Sequence, residues 1–153
     1  YWKYSSDKSI TANTTTLITG SWTQQTDYGG AGGELGSSMS ESSGIWTFPQ
    51  TGIYYVHAWF RWVLGGDSRF INTTLQVTTN NSSYADQANC DSGWSSGGSN
   101  IYGYSYCQTL VDCTDTSNVK VRFKADLEDN STNVQGDTNT SRTYMIFTRL
   151  GDT

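Results

Sequence analysis

The chain has 153 residues, enough for one domain with a substantial core and short for two. Its formal net charge is -5 at pH 7, with 14 Asp and Glu against 9 scattered Lys and Arg, so a phosphate backbone would be repelled and nucleic-acid binding is not expected. Aromatic residues reach 14% and charged residues only 15%, which argues against disorder despite the abundance of Ser, Thr, Asn and Gly.

No apolar run approaches the length that spans a bilayer, so no membrane insertion is expected, and the start is not signal-like. The chain opens at Tyr1 rather than Met, as a processed chain or a piece of a longer protein does. Helix formers are sparse and no window sustains a 3.6-residue period, whereas Thr and aromatics suit pleated strands. An all-β single domain over 1–153 is expected.

Tyr1 to Trp22 reads as irregular strands anchored by Ile10, Leu17, Ile18 and Trp22. Gln24 to Ser43 reads as a Gly/Ser loop around Gly29-Gly30-Ala31-Gly32-Gly33. A short strand covers Ile45 to Phe48 and a long one Gly52 to Leu64, ended by Gly65-Gly66-Asp67. Phe70 to Thr78 alternates, with Ile71, Thr73, Leu75 and Val77 on one side, and Asn80-Asn81-Ser82-Ser83 closes it. Asp86 to Asn100 reads as a second polar loop holding Cys90 and Trp94. Ile101 to Val111 and Val119 to Ala125 are further strands, Glu128 to Ser141 is a polar loop, and Thr143 to Leu150 is the last strand. Many short strands separated by turn signals predict a sandwich or jelly roll.

Two kinds of strand emerge. In Val119 to Ala125, apolar Val119, Val121, Phe123 and Ala125 alternate with Lys120, Arg122 and Lys124, as on a sheet with one wet face. Gly52 to Leu64 is apolar on both sides: Tyr54, Val56, Ala58, Phe60 and Trp62 oppose Tyr55, His57, Trp59, Arg61 and Val63. The last strand repeats this, with Tyr144, Ile146 and Leu150 opposite Met145 and Phe147. Each sheet of a sandwich has one inward face, so the second apolar face needs a cover. Another copy of the chain or a loop folded over the sheet would each supply it.

The stretch Met39-x-x-x-Ser43-Gly44-x-Trp46-Thr47-Phe48-Pro49-x-x-Gly52-Ile53-Tyr54-Tyr55-Val56 resembles the signature of the C1q domain, in the C1q/TNF-like superfamily. Spacing matches throughout, with conservative departures at Met39 and Val56. Downstream, Asp115 to Val121 stands where that family has a Gly-Asp turn, and no Gly is present. The resemblance implies a ten-stranded jelly-roll sandwich that assembles as a homotrimer, its inner sheet facing the three-fold axis. Trimer-interface residues expected on that basis are Tyr55, His57, Trp59, Arg61, Tyr102, Tyr104, Tyr106, Met145 and Phe147.

Chemistry-bearing residues are few. His57 is the only histidine and no nucleophile motif accompanies it, so no catalytic residue is assigned and a packing role is expected. His57 and the three cysteines lack the ligand spacing of a zinc site. Asp126, Glu128 and Asp129 could meet calcium, which some C1q domains bind, but the run lacks the alternating ligand pattern of a dedicated loop and reads better as a solvated acidic turn. No other cofactor is expected. Cys90, Cys107 and Cys113 allow at most one internal pair, and small buried free thiols are the favoured reading. Six Asn-x-Ser/Thr sequons, at Asn13, Asn72, Asn80, Asn81, Asn130 and Asn139, arise by chance in such a composition.

Trp94, on a loop, is the candidate for stacking on a ligand such as a sugar ring. The Ser/Thr/Asn/Gly-rich chain and its closing Arg149-Leu150-Gly151-Asp152-Thr153 resemble C1q-like domains of bacteriophage virion proteins. That resemblance implies a non-enzymatic virion surface component, a fiber tip or capsid decoration. Its partners would be other virion proteins and a host-surface glycan or protein. The alternative is a secreted, extracellular C1q-like lectin.

Overall fold

The computed structural model describes residues 1–25, 35–66, 68–94 and 101–153, the Trp94 side chain excepted. Among them there is no helix. In chain order the strands are β1 (Trp2–Tyr4), β2 (Lys8–Ser9), β3 (Thr16–Leu17), β4 (Trp22–Gln24), β5 (Ser40–Ser42), β6 (Ile45–Thr47) and β7 (Gly52–Leu64). They continue with β8 (Ser68–Thr78), β9 (Ala85–Trp94), β10 (Ile101–Cys113), β11 (Lys120–Leu127), β12 (Asn133–Val134) and β13 (Tyr144–Gly151). Of these 13, β2, β3 and β12 have only two residues each; the other ten carry the sandwich.

Every pairing is antiparallel, and the strands form two sheets. In the seven-stranded sheet, β7 has β10 along one edge over its whole length, while β13 and then β12 share the other. Beyond β13 come β1 and β4, and β2 pairs with β12. The six-stranded sheet runs β5-β6-β11-β8-β9, with β3 also on β11.

The Ser43-to-Val56 stretch shows why its residues are needed. Ser43 and Gly44 both have positive φ, 53° and 79°, the backbone of a two-residue type I′ hairpin joining β5 to β6. Gly52 sits at φ 144°, and a Cβ there would lie 2.5 Å from both the Arg149 side chain and Gly151 O. Only glycine allows β13 to close against the start of β7.

The core fills the space between the sheets. Tyr54, Val56, Ala58, Phe60, Trp62 and Leu64 of β7 project into it, as the sequence predicts. Trp46 is fully buried and packs edge-on against Trp22 at 5.1 Å and Phe123 at 5.5 Å. Each such side chain contributes about 1.5–3 kcal/mol by leaving water. One polar bridge crosses this interior. Trp62 Nε1 donates to Ser105 Oγ at 2.8 Å, and Ser105 Oγ meets Thr73 Oγ1 at 2.6 Å.

Several expectations need correction. β5 lies inside the Gln24-to-Ser43 stretch expected to be a loop, and β12 inside the Glu128-to-Ser141 loop; both are short strands held by pairing to a neighbour. Ala85–Trp94 is a strand, not part of a polar loop: as the edge of the six-stranded sheet it needs only one inward face, and the small Ala88 and Cys90 supply it. In β13, Met145 and Phe147 face the core rather than outward. Met145 lies opposite Ala58 and Phe147 opposite Val56; Met145 is fully buried and Phe147 packs against Trp46 at 6.0 Å. Both faces of β13 are apolar, so alternation alone cannot say which one turns inward.

Candidate functional site, an aromatic sheet face

Residues opposite each other on neighbouring strands share a face. On the outer side of the seven-stranded sheet, β7 presents Tyr55, His57, Trp59, Arg61 and Val63. Opposite them β10 presents Leu110, Gln108, Tyr106, Tyr104 and Tyr102. On the other flank β13 places Ile146 beside His57 and Tyr144 beside Trp59. Tyr1 stacks on Tyr144 at 5.4 Å.

Trp59 is the hub of this face. Its ring lies 5.5 Å from Tyr104, 6.2 Å from Tyr106 and 6.4 Å from Tyr144, the last two nearly parallel to it. His57 lies among the rings of Tyr55, Tyr106 and Tyr144 at 6.2–6.5 Å, neighbours unlike the carboxylate and nucleophile of a hydrolytic triad. The Arg61 guanidinium sits 4.2 Å from the centre of the Tyr102 ring, a cation–π contact. Tyr55 OH donates to Gln108 Oε1 at 2.7 Å.

The rings remain open to solvent. Tyr102 and Tyr104 are each 45% exposed, Tyr106 is 50% and Leu110 is 62%. Tyr55, His57, Trp59, Arg61, Tyr144 and Ile146 are half-buried. Seven of the nine expected interface residues thus meet on one face, and Met145 and Phe147 do not. Tyr144 and Ile146 take their place, a substitution legible only from the β7–β13 register. Leu110, by contrast, continues the alternation of Tyr102, Tyr104 and Tyr106 and was visible in the sequence.

The remaining candidates lie elsewhere. The Trp94 backbone ends β9 opposite Ser68, and its side chain lies outside the described residues. In the acidic turn, Glu128 Oε2 accepts from Arg69 N at 2.7 Å and Glu128 also ion-pairs with the Arg69 side chain. Those contacts, the side-chain hydrogen bond first, hold its carboxyl below the usual range. Asp129 Oδ1 accepts from Ser131 N and Oγ at 2.7 and 2.6 Å, which lowers its pKa too. Among the described residues, no three His, Cys, Asp or Glu side chains gather as metal ligands. A cavity of about 410 Å³ opens near Trp2, Met39, Tyr54, Ile146 and Arg149, at the margin of the aromatic face.

No family model matches the sequence, and no curated protein matches it. Among solved structures, it is similar in fold to murine APRIL (crystal structure at pH 8.0), with a TM-score of 0.66 and 11% identity over 97% of this chain and 95% of that one. It is equally similar to Eiger TNF from S. frugiperda, again with a TM-score of 0.66 and 11% identity, over 99% of this chain and 92% of that one. The two antiparallel sheets of this chain therefore form a TNF-like jelly-roll sandwich.

Proposed function

We propose that this chain is a non-catalytic head that self-associates as a homotrimer through the outer face of its seven-stranded sheet. The observation that carries this reading is the continuous aromatic face around Trp59. It combines apolar area with a few amphipathic rings, the composition of a protein–protein interface core. A second copy of the chain brings the same face, so the cover requires no further partner. Support for three copies comes from the C1q-type motif at Met39 to Val56 and from the TNF-like fold.

We assign the assembled head to a virion surface, as a fiber tip or capsid decoration engaging other virion proteins or a host-surface glycan or protein. The closing Arg149–Thr153 segment and the Ser/Thr/Asn/Gly-rich composition support that placement. A second reading, a secreted glycan-recognition domain, has one observation in its favour. Tyr102, Tyr104 and Tyr106 form a row of exposed rings about 7 Å apart, a spacing that suits stacking on successive sugars.

Light scattering at micromolar concentration tests the assembly. Three times the 16.9 kDa chain mass is expected. The mass of one chain would overturn the trimer and leave the tyrosine row in solvent. Binding on a glycan array, lost on Tyr104→Ala, would then establish the second reading.

A further inference from the structure

Cys90, Cys107 and Cys113 are all free thiols, and the strand register restricts which of them could pair. Cys107 and Cys113 lie at positions six apart on the extended strand β10, which separates them by roughly 20 Å, far beyond the Cα separation a disulfide spans. Cys113 ends that strand opposite Gly52. Cys107 instead points into the sandwich, and its thiol donates to Thr73 O at 3.1 Å. Thr73 is fully buried on β8, directly opposite Cys90 of β9. Opposed residues project to the same face, so Cys90 shares the inward face of Thr73, where it packs half-buried against the core.

The two thiols therefore approach the same rung from different sheets. Ser92 Oγ donates to Tyr104 O at 2.6 Å and holds β9 against β10 two residues further along. The Cys107 thiol is pushed up to about 12, by burial first and by the neighbouring Cys90 next, and the backbone of Cys90 is within hydrogen-bonding reach of it.

We propose that Cys90 and Cys107 form a disulfide under an oxidising disulfide reagent, stapling the free edge of the six-stranded sheet to the free edge of the seven-stranded one. The half-buried Cys90 thiolate attacks one sulfur of glutathione disulfide and expels a glutathione thiolate, leaving a mixed disulfide. Cys107 sulfur then attacks Cys90 sulfur, its proton goes to solvent, and the second glutathione thiolate leaves. The protein gives up two electrons and two protons, and glutathione disulfide takes them up as two thiols. Closure is slow at neutral pH and accelerates with pH, because Cys107 reacts only as the thiolate. The staple fixes β10, the strand that carries Tyr102, Tyr104 and Tyr106.

The test incubates the folded chain with glutathione disulfide and follows intact mass, free thiols and thermal unfolding. Loss of two hydrogens, one remaining free thiol, and a rise of the thermal midpoint by roughly 5–10 °C are expected. No Lys or Arg lies between Arg69 and Lys120, so trypsin leaves all three cysteines in one peptide. Chymotrypsin, which cuts after Trp94 and Tyr106, separates Cys90 from Cys107 and reveals the link. Cys90→Ser, at the half-buried partner, should abolish the mass loss, whereas Cys113→Ala should leave it unchanged. Three outcomes would overturn the proposal. They are a stable glutathione adduct at Cys90 that never closes, three persisting thiols, or mass loss that survives Cys90→Ser.

Discussion

The outer faces of the two sheets are built on the same alternation and finished in opposite ways. On the six-stranded sheet, Arg122 Nε donates to Gln76 Oε1 at 2.7 Å and Gln76 Nε2 donates to Asp86 Oδ1 at 2.6 Å. Lys124 pairs with Asp86 at 3.0 Å, Lys120 Nζ donates to Thr47 Oγ1 at 2.9 Å, and Arg122 lies over the Tyr84 ring at 3.7 Å. Those side chains satisfy one another side by side, and the face they make is at home in water. The face around Trp59 has rings where the other has charges, and rings in contact with water gain by leaving it. A strand with two apolar faces therefore signals an unfinished surface, whereas one with a charged face signals a finished one.

The largest test of this contrast is Trp59→Asp. It should weaken association by at least 100-fold, as removal of a central aromatic anchor does, while circular dichroism still reports a folded β chain. An unchanged mass by light scattering would refute the role of this face. Next comes the pair Met145→Asp and Ile146→Asp, which asks which side of β13 is which. A charge at Met145 is buried without a partner and should cost several kcal/mol, enough to prevent folding. A charge at Ile146 should leave the fold intact and reduce association. The opposite pattern would overturn the facing of β13.

Smaller effects are expected from the interior bridge and the charged face. Ser105→Ala leaves Trp62 Nε1 and the Thr73 hydroxyl without their shared partner and should cost about 1–3 kcal/mol in denaturant unfolding. Arg122→Met, on the finished face, should change stability by less than about 1 kcal/mol and association not at all. Asp86 gives the smallest signal. Its carboxyl is held below the usual range by the Gln76 hydrogen bond first and by Lys124 next. A depressed folded-state pKa means stability that is present above the unfolded value and lost as pH falls through the folded one. Acidification below about pH 4 should therefore lower unfolding free energy, and Asp86→Asn should shrink that loss by under about 1 kcal/mol in denaturant unfolding.

What could be read in advance followed from local chemistry. Gly52 to Leu64 was legible to the residue because its alternation is unbroken and Gly-Gly follows it. β5 lay inside the stretch expected to be a Gly/Ser loop, but the turn at Ser43-Gly44 and the Pro49-to-Gly52 corner were legible because few residues tolerate those backbone angles. β9 was not, since Asp, Gln, Asn, Ser and Gly carry loop propensities that pairing to β8 overrides at a sheet edge. The Asp115 turn works without the expected Gly because Asp115 side-chain oxygens accept from Ser117 N and Asn118 Nδ2.

The sequence by itself determined that this is an all-β chain with one strand apolar on both sides, because composition and two-residue periodicity are local properties of the chain. Tertiary structure alone decided which apolar side of β13 faces inward and which residues complete the outer face. Tyr144 and Ile146 join Trp59 there, and Cys107 shares a rung with Cys90, through cross-strand register. That register is set by the packing of whole sheets and leaves no mark within any one strand.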